Sequence, residues 1–206
     1  MSTSEIQILL GEHPSSEKIT SHLQSILSLD PTISLHSPEV KPYTDAVYFN
    51  YFSLGLSLLF KPINGYKPKS GLKLEDLQSE NLVLDGVDLY NNPKSKSSSS
   101  KSSPVYTTYP VNPFTLNLVT IPNKTRPESL SVTPETTGKQ FVEAFGEPDR
   151  KGGGAGPSTG SIGIWCEWSK DGIMVEFGGD ESRGPKAWET GKDAVWKVIT
   201  IFPSKE

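Results

Sequence analysis

The stretch Tyr48-Phe49-Asn50-Tyr51-Phe52-Ser53-Leu54-Gly55-Leu56-Ser57-Leu58-Leu59-Phe60 overlays without a gap on Trp165-Cys166-Glu167-Trp168-Ser169-Lys170-Asp171-Gly172-Ile173-Met174-Val175-Glu176-Phe177. In both, an aromatic residue is followed by a second aromatic three positions on, by glycine four positions after that, and by phenylalanine after five more. Aromatic and β-branched side chains suit a pleated, half-buried surface, and glycine adopts a positive φ at no steric cost. Each block therefore predicts a β-hairpin whose turn requires its glycine, at Ser53-Leu54-Gly55 and at Lys170-Asp171-Gly172. A glycine-acid-proline corner lies upstream of each, Gly11-Glu12-His13-Pro14 and Gly146-Glu147-Pro148. The pattern predicts a duplicated unit, with repeats over about 6–92 and 105–206 inside a single domain of 1–206.

Working outward, Leu82 to Tyr90, Phe114 to Ile121 and Ala194 to Phe202 carry alternating or β-branched content and read as further strands. Two segments follow the helical period: Ser16 to Leu29, with Ile19, Leu23, Ile26 and Leu27 on one stripe, and Pro134 to Phe145, with Phe141, Val142 and Phe145. For the second, Thr133 is the expected N-cap, Pro134 the first helical residue and Gly146 the C-terminal stop. The expected class is α+β: an antiparallel sheet with helices on one face, built from two helix–hairpin repeats.

A chain of 206 residues, 34% hydrophobic and 21% charged, can bury roughly two-thirds of its unfolded surface, which predicts a soluble globular protein. The longest apolar run, Leu54 to Phe60, is far short of a membrane span, and Met1 to Leu10 has no basic start like a secretory signal. One cysteine and three histidines leave no internal disulfide and too few ligands for structural zinc, so no cofactor or metal is expected and the compartment reads as cytoplasmic. Net charge is −4, and the Ser/Lys stretch 93–104 contributes +3 of positive charge, leaving −7 for the rest. A nucleic-acid-binding body is excluded on that balance. Having no apolar side chain to bury, the Ser/Lys stretch is expected to be a disordered loop, and Lys151 to Gly160 a mobile glycine-rich one.

Gly156-Pro157-Ser158-Thr159-Gly160 matches a nucleophile elbow, but that motif needs a strand before the serine and a helix after it, and neither is expected here. The same loop invites an anion nest with Arg150 and Lys151 as charged partners, although it lacks the Gly-Lys-Ser/Thr ending of a phosphate loop. Glu167 and Glu176 stand directly opposite each other if the second turn is Asp171-Gly172; a three-residue turn, the favoured register, groups Trp165, Glu167, Val175 and Phe177 and sends Glu176 to the other face. Cys166 reads as a small buried hydrophobe, and His13, His22 and His36 as solvated or hydrogen-bonded imidazoles. All four tryptophans fall in the last quarter of the chain, and with the tyrosines they exceed what one sheet face must bury. An accessible aromatic platform is therefore expected among Tyr48, Tyr51, Trp165, Trp168 and Trp188.

The order Leu9-Leu10-Gly11, Leu35-His36-Ser37-Pro38 and Asp45 through Phe60, followed by Tyr109-Pro110-Val111-Asn112-Pro113-Phe114 and Phe145-Gly146-Glu147-Pro148, resembles the C-terminal half of the phagosome assembly factor family. The helix, corner and hairpin repeat is also similar to bacterial β-lactamase inhibitor protein and to outer-membrane lipoprotein assembly factors. These resemblances imply a non-enzymatic interaction adaptor in autophagy or membrane trafficking, with a β-propeller protein as partner and contact with membranes only through that partner. The alternative expectation is a small-molecule-binding protein or hydrolase-like enzyme that uses the glycine-rich loop 151–160 and brings Ser158, Glu167, Glu176 or Cys166 together.

Overall fold

The computed structural model describes residues 2–33, 37–92, 104–121, 125–154 and 163–205. Most of the Ser/Lys loop (93–103), the glycine-rich residues 155–162 with Ser158, and His36 lie outside the described residues. The chain divides into two compact units, Glu5–Val111 and Asn112–Glu206 with Met1–Ser4.

After a short opening helix α1 (Thr3–Gln7), the first unit contains helix α2 (Glu17–Leu27) and strands β1 (Glu39–Pro42), β2 (Val47–Tyr51), β3 (Leu56–Pro62) and β4 (Leu82–Tyr90). The four strands pair antiparallel in chain order. Ser16 caps α2, its Oγ accepting the Lys18 N–H at 3.2 Å. The apolar stripe Ile19, Leu23 and Ile26 is buried, while Leu27 is half-buried. Complete burial of a side chain such as Ile26 is worth about 2–3 kcal/mol.

The second unit holds strands β5 (Phe114–Asn117) and β6 (Ser129–Val132), which pair with each other, then helix α3 (Gly138–Phe145). Strands β7 (Arg150–Gly152), β8 (Trp165–Trp168) and β9 (Ile173–Phe177) follow, then a one-turn helix α4 (Ala187–Thr190) and strand β10 (Trp196–Ile201). Strands β7 to β10 again pair antiparallel in chain order.

These elements overturn the expected α+β layer of helices on one sheet face built from helix–hairpin repeats. Among the described residues the chain is mostly antiparallel sheet, with ten strands and four short helices. Part of the reason lies at α3. Residues 134–137, expected to be its first turn, do not continue into the helix: 134–135 form a separate turn closed by the Thr136 N–H on the Thr133 carbonyl, the Thr136 carbonyl accepts the Trp196 N–H, and Thr137 forms a bridge with Val195. Thr137 therefore replaces Thr133 as the cap, with the Gln140 side chain accepting the Thr137 N–H at 2.8 Å.

Both quoted blocks are hairpins. β2 and β3 are joined by residues 52–55, and β8 and β9 by residues 169–172, one residue longer than the sequence predicts. In each, the closing glycine is left-handed, Gly55 at φ 56° and Gly172 at φ 65°. Each donates its N–H to the first residue of its turn, Phe52 or Ser169, at 3.2 Å. The longer second turn changes the register. Glu167 now faces Met174 and Glu176 faces Trp165, so neither expected pairing forms and both carboxylates lie on one face of the hairpin.

His22 on α2 is only 9% exposed, and its Nε2 is buried without a hydrogen-bond partner among the described residues. Burial lowers its pKa below the usual 6.5, against an opposing pull from Glu5. The unfolded chain then binds a proton near pH 6.5 that the folded chain refuses, so stability falls as pH drops through 6.5 toward the lowered value. The loss has a ceiling of about 1.4 kcal/mol per pH unit. Urea midpoints at pH 7 and pH 5 are expected to separate more for the native chain than for His22→Leu; equal separations refute the assignment.

Candidate functional site

Helix α3 packs its aromatic stripe onto the β8–β9 hairpin, Phe141 edge-on to Phe177 with centroids 5.9 Å apart and Phe145 tilted on Trp168 at 4.9 Å. The Trp168 indole donates to the Gly146 carbonyl at 2.9 Å and locks the C-terminal end of the helix. At the other end, the Gly138 N–H donates to the Ala194 carbonyl and the Lys139 N–H to the Lys192 carbonyl, both at 2.9 Å. Only glycine permits this approach, because a Cβ on Gly138 would stand 2.3 Å from the Gly191 carbonyl oxygen.

Between α3 and the residues around α4 this leaves an apolar groove of about 260 Å³. Its floor is Ile164, Cys166 and Phe177, and Val142 and Trp188 stand at its sides. Trp188 is 47% exposed and Val142 40%, while the floor is buried. Gly138, Lys139, Glu143, Gly191 and Lys192 complete the lining. Lys139 and Glu143 are 3.6 Å apart and both well exposed. Lys151 lies over the Trp188 ring, its Nζ 5.7 Å from the centroid and 2.8 Å from Glu147 Oε1. Burial pushes the Cys166 thiol up to about 11, so the sulfur is protonated at neutral pH and contributes apolar surface rather than a nucleophile.

Of the five rings expected to form a platform, Trp168 and Tyr51 are core residues, and burial pushes the Tyr51 hydroxyl up to about 12. Tyr48 is half-buried with Tyr43 edge-on at 6.0 Å, and Trp165 is half-buried under the Arg150 guanidinium at 5.9 Å. Strand alternation sends Trp165 and Cys166 to opposite faces of β8, so Trp165 turns away from the groove. Trp188 alone of the five lines it. The expected anion partners are separated by the same rule: Arg150 pairs with Glu167 at 3.3 Å on one face, and Lys151 reaches Glu147 and Trp188 on the other. They do not converge on one anion.

The proposed acid–base groups are likewise apart. Glu167 is buried and accepts from the Ser169 hydroxyl at 2.7 Å, with Arg150 and Lys205 beside it, whereas Glu176 pairs with Lys197 at 2.8 Å. Cys166 lies on the far side of the strand from Glu167. No cluster of His, Cys, Asp and Glu suited to a metal ion occurs among the described residues, and no helix there is long and apolar enough to cross a membrane.

Sequence reasoning missed Val142 and Gly191 as groove residues, and it missed Arg126 altogether. Arg126 forms a buried fork on Asp171, Nη1 to Oδ2 at 2.9 Å and Nη2 to Oδ1 at 2.7 Å. No family model, curated protein or solved structure matches the chain.

Proposed function

We propose that this chain is a non-enzymatic, cytoplasmic protein-interaction module that receives a large apolar side chain of a protein partner in the groove beside Trp188. The observation that carries the reading is an exposed tryptophan standing beside an apolar groove of about 260 Å³. Sites for drug-sized ligands and cofactors occupy about 300–1,000 Å³, so this one is sized for a single anchoring side chain. Tryptophan at the edge of such a pocket is the residue type on which interface energy concentrates. The protonated thiol and the dispersed carboxylates favour binding over catalysis. An adaptor role in autophagy or membrane trafficking follows from the resemblance to phagosome assembly factors, and a β-propeller protein is the first partner to test.

The full chain, Trp188→Ala, Val142→Asp and a control, Leu74→Ala, whose exposed side chain lies in the other unit, are compared as baits in extracts of cells that express the protein. A partner held by the native chain and the control is expected to be lost from both groove variants, with affinity reduced by at least about thirtyfold, or about 2 kcal/mol. Equal recovery by all four baits refutes the groove as the docking site.

A further inference from the structure

We propose that the groove selects an apolar side chain carried on an acidic segment of the partner, a large hydrophobic residue with Asp or Glu beside it; this rests on the docking reading above. The charge balance of the lining points there. Glu143 is held by Lys139 at 3.6 Å, and Glu147, just outside, by Lys151 at 2.8 Å. Lys192 is exposed, so the lining carries two ammonium groups, Lys139 and Lys192, against the one carboxylate of Glu143. That positive balance belongs to a protein whose net charge is −4.

The three lysines are placed to meet carboxylates without entering the apolar floor. Lys139 and Lys192 are joined through the backbone, the Lys139 N–H donating to the Lys192 carbonyl, so their Cα positions are fixed while both side chains stay exposed. Lys151 lies over the Trp188 ring. An incoming carboxylate replaces weak, exposed partners: the Lys139 and Glu143 side chains are 64% and 62% exposed, and solvent screens pairs of that kind to little net attraction. A basic segment would meet two lysines of the lining against one glutamate, so the lining discriminates by repulsion as well as by attraction.

The test pans random displayed peptides on the full chain and removes those that also bind Trp188→Ala. Recovered sequences are expected to share one large apolar residue flanked by Asp or Glu. A synthetic peptide of that consensus is expected to bind about three- to tenfold more weakly to Lys192→Glu than to the native chain, and more weakly as salt is raised. Apolar anchors recovered without acidic neighbours, or equal binding to Lys192→Glu, overturn the acidic-segment proposal and leave the groove reading standing. If no recovered peptide distinguishes the native chain from Trp188→Ala, the groove reading fails with it. Two further outcomes overturn the proposal: phenylacetate binding with the same lysine dependence while peptides do not, and Trp188-dependent self-association in sedimentation, which assigns the groove to a second copy.

Discussion

Asp171→Ala is expected to destabilise the Asn112–Glu206 unit by about 3–5 kcal/mol, among the largest losses any single side chain produces in this protein. The Asp171 side chain is 2% exposed and that of Arg126 8%. Their two parallel hydrogen bonds form the fork geometry in which guanidinium and carboxylate interact most strongly. Asp171 Oδ1 also accepts the Val119 N–H at 2.9 Å, and Arg126 donates to the carbonyls of Val119 and Phe145. One ion pair thus ties Val119 and Arg126 to the β8–β9 turn and to the end of α3. Removing the carboxylate strands a buried cation, which costs far more than the pair itself contributes. Asp171→Val combined with Arg126→Met removes both charges and is expected to recover a large part of the loss. The four tryptophans all lie in this unit and the seven tyrosines all lie in the other. Urea unfolding followed by tryptophan emission therefore reads the unit directly, and a loss under about 1 kcal/mol for the single variant refutes the account.

Gly55→Ala is expected to cost at least about 3 kcal/mol in the Glu5–Val111 unit, for two reasons that separate experimentally. At φ 56° an L side chain carries about 1–2 kcal/mol of backbone strain. The larger part is steric, since the added Cβ would stand 2.4 Å from the Thr107 carbonyl oxygen and 2.7 Å from the Tyr109 nitrogen. Residues 106–109 lie across the hairpin turn and cannot yield cheaply. The Thr107 N–H donates to the Phe52 carbonyl at 2.9 Å, and the Tyr109 N–H to the Tyr90 carbonyl at 2.8 Å. Tyr106 stacks flat on Tyr90 at 3.6 Å while its hydroxyl donates to Asn50 Oδ1 at 2.6 Å. Asparagine tolerates the left-handed region, so it relieves strain without relieving the clash. Gly55→Asn is therefore expected to be nearly as damaging as Gly55→Ala. Gly65→Asn, at φ 75° with nothing within 4 Å of the added Cβ, is expected to lose less than about 1 kcal/mol. Tyrosine absorbance reports this unit; similar losses for the two asparagine variants contradict the steric argument.

Local chemistry was enough to locate the hairpin blocks, the two left-handed glycines, helix α2 and the limits of β4, Leu82 to Tyr90. Each of these depends on side-chain period, on a cap or on a positive φ, and all three are properties of neighbouring residues. The same reasoning failed where distant backbone intervened. Thr133 and Pro134 are a sound helix start in isolation, yet β10 and the residues before it occupy the backbone groups of Thr136 and Thr137, and the helix begins at Gly138. The register of Glu167 and Glu176 was set by a turn whose aspartate is committed to Arg126, 45 residues away in the chain. The sheet-rich class followed in part from the same competition, because the second segment with helical period was held short by strand contacts. No local signal marks the groove, because its residues come from four separated segments, around 138–143, 164–166, 177 and 188–192. An exposed Trp188, a buried Trp168 and a Trp165 turned to the other face are identical as letters in the sequence. Only the pairing of β8 with its neighbours and the packing of α3 on one of its faces decided which tryptophan meets solvent.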